Sequence, residues 1–212
     1  EMCDSDWSSD VCSSDLSYVE TALQWCVANA STYNIAAVYI GASDSLNWTG
    51  ETSEYGLGDE LASLAGDDIV VVAPSGDGFY SFSSSQGVSY PAADPNVISV
   101  GAVYDSDFGG YTYSDGAAAN SSGADRIAPF SQRSTSLTDL FAPGAPITAA
   151  DDAGGTQTLH GTSQAAAYVT GMVALLQQFA VEATGSRLTV SEVVSCLTSS
   201  GTTVTDGDDE DD

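Results

Sequence analysis

The sequence predicts an α/β domain in which a mostly parallel sheet carries helices on both faces. Three observations point there. The short runs "IVVVA" (69–73) and "VISVGAV" (97–103) are apolar almost throughout rather than alternating, as expected of strands covered on both sides. Segments of helical spacing alternate with such runs along the chain. One long, largely apolar stretch, "GTSQAAAYVTGMVALLQQFAVEATG" (161–185), has the make-up of a helix buried on most sides.

Taken in order, "SYVETALQWCVAN" (17–29) places Val19, Leu23, Cys26 and Val27 at helical spacing, with Asn29 suited to its exit. "IAAVYIG" (35–41) is a short apolar run ending in glycine and predicts a buried strand. "GDELASLAG" (58–66) predicts a short helix stopped by Gly66. The strands at 69–73 and 97–103 follow, and "LFAPG" (140–144) is a shorter echo of them. The stretch between Tyr104 and Ile127, rich in Ser, Gly and Asp, predicts an exposed insertion. After the long helix closes at Gly185, "TVSEVVSCL" (189–197) opens with Thr189 and Glu192 at capping-box spacing.

With 212 residues, 42% of them hydrophobic, the chain can build one sizeable core. It has no lysine; Arg126, Arg133 and Arg187 stand against 30 acids, for a formal charge of -27. Such a balance excludes nucleic acid and anionic membrane surfaces as partners, because both need a basic footprint. It suits solubility, high salt or divalent cations. No apolar run is long enough to span a membrane.

The two ends read differently from the body. "DWSSDVCSSDL" (6–16) has no apolar period and resembles the conceptual translation of a sequencing adapter. Residues 1–16 are therefore expected to be non-native, 17–205 to form the domain, and 206–212 to be an acidic tail, solvated or cut. Setting Cys3 and Cys12 aside leaves Cys26 and Cys196, expected as buried free thiols. The tail "DGDDEDD" is where a structural calcium could bind, with the ligand set unknown; no cofactor is expected for chemistry.

"HGTSQAAAYVTG" (160–171) carries the chemistry. A serine at a helix start is as readily a cap as a nucleophile, so Ser163 alone decides nothing. Four further segments decide more: "YVETALQWCVANASTYNIAAVYIG", "IVVVAPSGDG", "VSYPAADPNVISVGAV" and "LTDLFAPGAPITAA" precede it in order. Together the five blocks resemble the subtilisin-like serine peptidases, from Tyr18 to about Val204. The third block is similar to that family's "VGYPARYPDVIAVGAV" and the last to its "NGTSMASPHVAGAAALL".

The resemblance implies a three-layer subtilisin-like fold with its first strands missing, and a secreted endopeptidase acting on peptide or protein substrates. Ser163 would attack the peptide carbonyl to form an acyl-enzyme. Tyr39, Ile40 and Gly41 would form one wall of the substrate cleft, Ala73, Ser75 and Gly76 the other, with Ser89 near the floor of a neutral pocket. The position after Gly76 departs from the family: Asp77 stands where an asparagine usually donates to the oxyanion. A carboxylate donates only when protonated, so Asp77 is either a neutral donor with a raised pKa or the mark of a weak or lost activity. Ala167 stands where the family has proline.

His160, three residues before Ser163, is the one histidine and has no orienting carboxylate beside it in sequence. The family's Asp and His motifs, "DTG" and "HGTHVAG", do not occur here. The base is therefore expected in sequence ahead of the matched region, with His160 a turn residue and this chain by itself inactive. A catalytically dead, peptide-binding scaffold and an acidic calcium-binding module are the competing readings. Asn29, Asn47 and Asn120 lie in Asn-x-Ser/Thr sites, acceptors only in a eukaryotic secretory route.

Overall fold

The structure, a computed structural model, describes residues 13–205 and 210–211. Residues 1–12, with most of the adapter-like string, lie outside the described residues, and so does most of the acidic tail.

Among the described residues, four parallel strands form the central sheet in the order β1-β2-β3-β6: β1 (Ala37–Tyr39), β2 (Val70–Pro74), β3 (Val97–Tyr104) and β6 (Leu140–Ala145). Pairing runs Val38 to Val71, Val72 to Ile98 and Gly101 to Phe141, with a register shift at Val103/Tyr104. The alternation of strand side chains sorts the helices. Val70 and Val72 face one way, onto Ala165, Ala166, Val169 and Val173 of α3 (Thr162–Thr184) and Val193 and Leu197 of α4 (Val190–Ser200). Val71 and Ala73 face the other way, onto Leu23 of α1 (Ser13–Tyr33) and Leu61 and Leu64 of α2 (Gly58–Gly66). The result is the expected three layers, and β2 and β3 are buried at every position because helices cover both faces.

Several expectations need correction. Helix α1 starts at Ser13 rather than 17 and runs past Asn29 to Tyr33; Leu16 is fully buried, one helical repeat ahead of Val19 and Leu23. The 104–127 stretch is not simply an exposed insertion. It forms β4 (Tyr111–Thr112) and β5 (Ala118–Ala119), which pair with each other, and β5 also pairs with β9 (Glu210–Asp211). Ala117, Ala119 and Ser122 are buried. The sequence also gave no sign of the antiparallel pair β7 (Ile147–Ala150) and β8 (Thr156–Leu159), which leads into α3.

Cys196 is exposed and Cys26 half-buried, so neither thiol is the buried one expected. Amphipathic α4 buries only Val193 and Leu197 and turns Cys196 to solvent. Helix α3 is less enclosed than its composition suggests. Tyr168, Met172, Leu175 and Phe179 form an exposed stripe, with Leu175 69% and Phe179 68% accessible. The Thr189–Glu192 capping box at the start of α4 is formed as predicted.

Candidate active site

Ser163 stands in the first turn of α3, where that helix meets the carboxyl ends of β1 and β2. Three elements fix the helix start. Gly161 donates its N–H to the Gly144 carbonyl at 2.9 Å. A Cβ on Gly144 would lie 2.7 Å from that same Gly161's carbonyl oxygen and from Ala102 Cβ, so only glycine permits the approach. Gly161 offers no side chain to cap the helix, and Asp77 does so from the turn after β2. Its Oδ1 accepts the Thr162 N–H at 2.8 Å and the Thr162 hydroxyl at 2.7 Å. The Thr162 hydroxyl oxygen in turn accepts from the Gly76 N–H at 3.2 Å.

The electrostatics follow from this arrangement. Burial pushes the Asp77 carboxyl above its ordinary range, the two Thr162 hydrogen bonds pull it back, and nearby Asp115 pushes it up again. The N–H groups of Ser163 and Gln164, in the first turn, have no acceptor within the helix and lie at its positive end, a setting that favours a developing negative charge. Burial also raises Tyr39, which keeps its phenol protonated; it donates to the Ser163 carbonyl at 3.0 Å.

Among the described residues, the partner of the Ser163 hydroxyl is the Gly41 carbonyl, at 3.5 Å. His160 is not a partner. Its ring stacks on Tyr111 (5.0 Å between centroids) and meets Tyr113 edge-on (5.4 Å). Its Nδ1 is buried and, among the described residues, has no hydrogen bond, and burial lowers its pKa. This half-buried imidazole, packed against two aromatic rings, is a packing residue of the incoming turn. Its cover comes from the 104–127 segment.

The other sequence-derived residues divide. Tyr39 and Gly41 line the open surface beside Ser163, the tyrosine ring lying over Gly41. Ile40 is buried and extends the β1–β2 pairing by donating to the Val72 carbonyl at 3.0 Å. Ala73, Ser75 and Ser89 are fully buried. Gly76 joins Asp77 to Thr162 at a left-handed φ of 110°. Ala167 is exposed in the second turn of α3. Thr162 and Gln132 were missed from the sequence. Thr162 sits inside the serine motif, where its hydroxyl could have been read as a link to the Asp77 turn; Gln132 belongs to no motif.

Among the described residues no group of three or more His, Cys, Asp or Glu side chains could hold a metal ion. No described helix is long and apolar enough to cross a membrane.

A serine in the first turn of a helix that crosses a four-stranded parallel sheet, tied to an acidic turn after the neighbouring strand, makes an α/β site with one candidate nucleophile. Comparison with known proteins gives the family: the Subtilase family (Peptidase S8) profile matches residues 14–210, and the chain belongs to that family. It is 45% identical over 65 residues to the subtilisin-like serine protease Pen ch 13.0101 of Penicillium rubens, covering 31% of this chain and 16% of that protein. It is 36% identical over 112 residues to Pen ch 13 of the same organism, covering 53% of this chain and 23% of the relative. Among solved structures, the patellamide maturation protease PatA matches with a TM-score of 0.67 at 22% identity, covering 94% of this chain and 62% of that one. A cold-adapted subtilisin-like serine proteinase matches with a TM-score of 0.63 at 22% identity, covering 90% and 56%. The chain thus spans less than two thirds of the relatives it matches, and the structural likeness speaks for the fold.

Proposed function

We propose that this chain is the serine-bearing part of a serine endopeptidase domain, secreted and acting on peptide or protein substrates. Ser163 is the nucleophile. Its N–H, with Asp77 as a neutral carboxylic acid, stabilises the oxyanion, and a histidine and aspartate are supplied by sequence ahead of the matched region. The observation that carries the reading is the position of the Ser163 hydroxyl in the first turn of α3, open to the surface between Gly41 and the Asp77 turn.

Two bare surfaces support a complementing segment. Strand β1 has a neighbour on one side only among the described residues, and such an edge invites a further strand. Helix α3 packs across all four strands including β1, and its outer stripe of Tyr168, Met172, Leu175 and Phe179 is left uncovered by the described residues. A segment extending the sheet past β1 and laying a helix against α3 would cover both. It would also bring its own side chains next to Ser163.

The test is labelling with a fluorophosphonate. A protein carrying this domain together with an upstream histidine-bearing segment is expected to label at Ser163, and its Ser163→Ala variant to remain unlabelled. The 212-residue chain alone should label poorly, since a site without its base keeps only residual catalysis. An unlabelled longer protein would favour the second reading, a peptide-binding subtilase without activity. That reading draws on the two hydrogen bonds by which Asp77 accepts rather than donates.

A further inference from the structure

We propose that Gln132 closes the crevice beside Ser163 and restricts this site to peptides with a small residue, such as glycine, alanine or serine, on the acyl side of the cleaved bond. The proposal rests on the peptidase reading above.

Ser163 lies at the carboxyl ends of two adjacent parallel strands, the place where α/β sheets take their ligands. Two segments flank the crevice there: the chain after β1, from Gly41 to Trp48, and the turn after β2, from Ser75 to Gly78. Gln132 enters from a third segment, ahead of β6, and ties the two together. Its Nε2 donates to the Leu46 carbonyl at 3.0 Å and to Asn47 Oδ1 at 2.8 Å. Its Oε1 accepts from the Ser89 hydroxyl at 2.9 Å and from the Gly78 N–H at 3.3 Å. The residue is 1% exposed.

Every polar position of this amide faces a partner, although the Ser89 hydroxyl's one proton is shared between Gln132 Oε1 and the Leu46 carbonyl, 3.0 Å away. Swinging it out would strand several buried polar groups at once. The backbone of Gln132 is held too: its N–H donates to the Gly76 carbonyl at 2.8 Å, and its carbonyl accepts from the Ser75 hydroxyl at 2.6 Å. The space is correspondingly full. A single carbon added to Gly76 would sit 2.1 Å from Gln132 Oε1 and 2.3 Å from Ser89 Oγ. A peptide whose carbonyl reaches Ser163 therefore meets a shallow, uncharged floor rather than a deep pocket. A bulky side chain could enter only by displacing the amide.

The experiment titrates acetyl-Ala-Ala-Ala and acetyl-Ala-Ala-Phe, products of the two kinds of cleavage, into the 212-residue chain while following the amide NMR shifts of Gly41, Gly76 and Ser163. The alanine-ended peptide is expected to bind at least about tenfold more tightly, the scale set by misfit of a side chain in a closed pocket. Gln132→Gly should remove that preference by gaining affinity for the phenylalanine-ended peptide. Equal or tighter binding of the phenylalanine-ended peptide to the unaltered chain overturns the proposal, whether or not the variant folds. A folded Gln132→Gly chain that keeps the original ratio also overturns it. If neither peptide moves the three amides in the unaltered chain, there is no peptide-binding crevice for Gln132 to restrict and the proposal is overturned; the peptidase reading is decided separately, by the fluorophosphonate labelling.

Discussion

Asp77 Oδ1 accepts both hydrogen-bond donors of Thr162, the backbone N–H at 2.8 Å and the hydroxyl at 2.7 Å. The residue next to Ser163 is thereby tied to the turn after β2, and the helix that presents Ser163 gains the cap that Gly161 does not supply. The same carboxyl is pushed up by burial. Its proton thus bears both on how firmly the helix start is held and on what an oxyanion would meet.

Because its folded pKa is raised, Asp77 contributes stability that is present below the ordinary carboxylate range and lost as pH rises through the raised value. Asp77→Asn keeps an acceptor for Thr162 and carries no charge. The variant should therefore unfold at a higher temperature than the parent at pH 7, with the difference shrinking towards pH 4, as measured by calorimetry across that range. In a catalytically complete protein the parent should work best at mildly acid pH, and Asp77→Asn should raise activity at neutral pH. No gain there would argue against a protonated donor at this position.

Thr162→Val keeps the shape of the side chain and removes its hydroxyl. The Gly76 N–H loses its acceptor and Asp77 one of its two donors, in a place that is 1% exposed. A loss of about 1–3 kcal/mol is expected in denaturant unfolding, the usual cost of leaving a buried polar group unmatched. The Asp77 carboxyl should titrate at still higher pH by carbon NMR, since one of the two bonds that lower it is gone.

Gly144→Ala tests the close approach of β6 to the helix start. The added methyl would meet backbone oxygen and Ala102 Cβ at 2.7 Å, neither of which can rotate away. Overpacking of this kind typically costs about 1–3 kcal/mol, read as a lowered midpoint in urea. Gly171→Ala, where a Cβ meets nothing within 4 Å, is the control and should be neutral or stabilising.

The outer stripe of α3 should make the isolated chain self-associate when its charge of -27 is screened. Sedimentation at high salt is expected to show oligomers that Leu175→Glu disperses, while the exposed position leaves folding stability within about 0.5 kcal/mol. A chain that stays monomeric at every salt concentration would show that the stripe is not adhesive.

The thiols should react at different rates. Cys196 is exposed, whereas Cys26 is half-buried and its pKa is raised by burial. Since the thiolate is the reactive form, a disulfide reagent should modify Cys196 before Cys26, the two thiols among the described residues. Its modification should leave the fold intact, because α4 docks through Val193 and Leu197 instead.

What the sequence made legible were the elements whose burial is written in local pattern. The unbroken apolar runs of β2 and β3 exist because helices cover both faces, and the capping box of α4 is a short-range signal. Ser163 and Asp77 were legible for a different reason: motif order carries them, and the fold sets the Asp77 turn against the first turn of α3. Long-range polar ties left no such trace. Gln132 reaches residues 46, 47, 78 and 89 through a side-chain amide that no periodicity announces, and the cover over His160 comes from a stretch whose polar composition reads as solvent-facing. The exposed stripe of α3 was misjudged because apolar composition reports that a face needs covering, without saying by what.

The placement of His160 between Tyr111 and Tyr113 has a practical use. A protein with one imidazole yields a single set of imidazole carbon-proton signals, and here two phenol rings lie close enough to displace them by their ring currents. Those lines are a built-in gauge of whether β4 and β5 stay seated: lifting the segment would return them to the positions of free histidine and let the imidazole protonate at its ordinary pH.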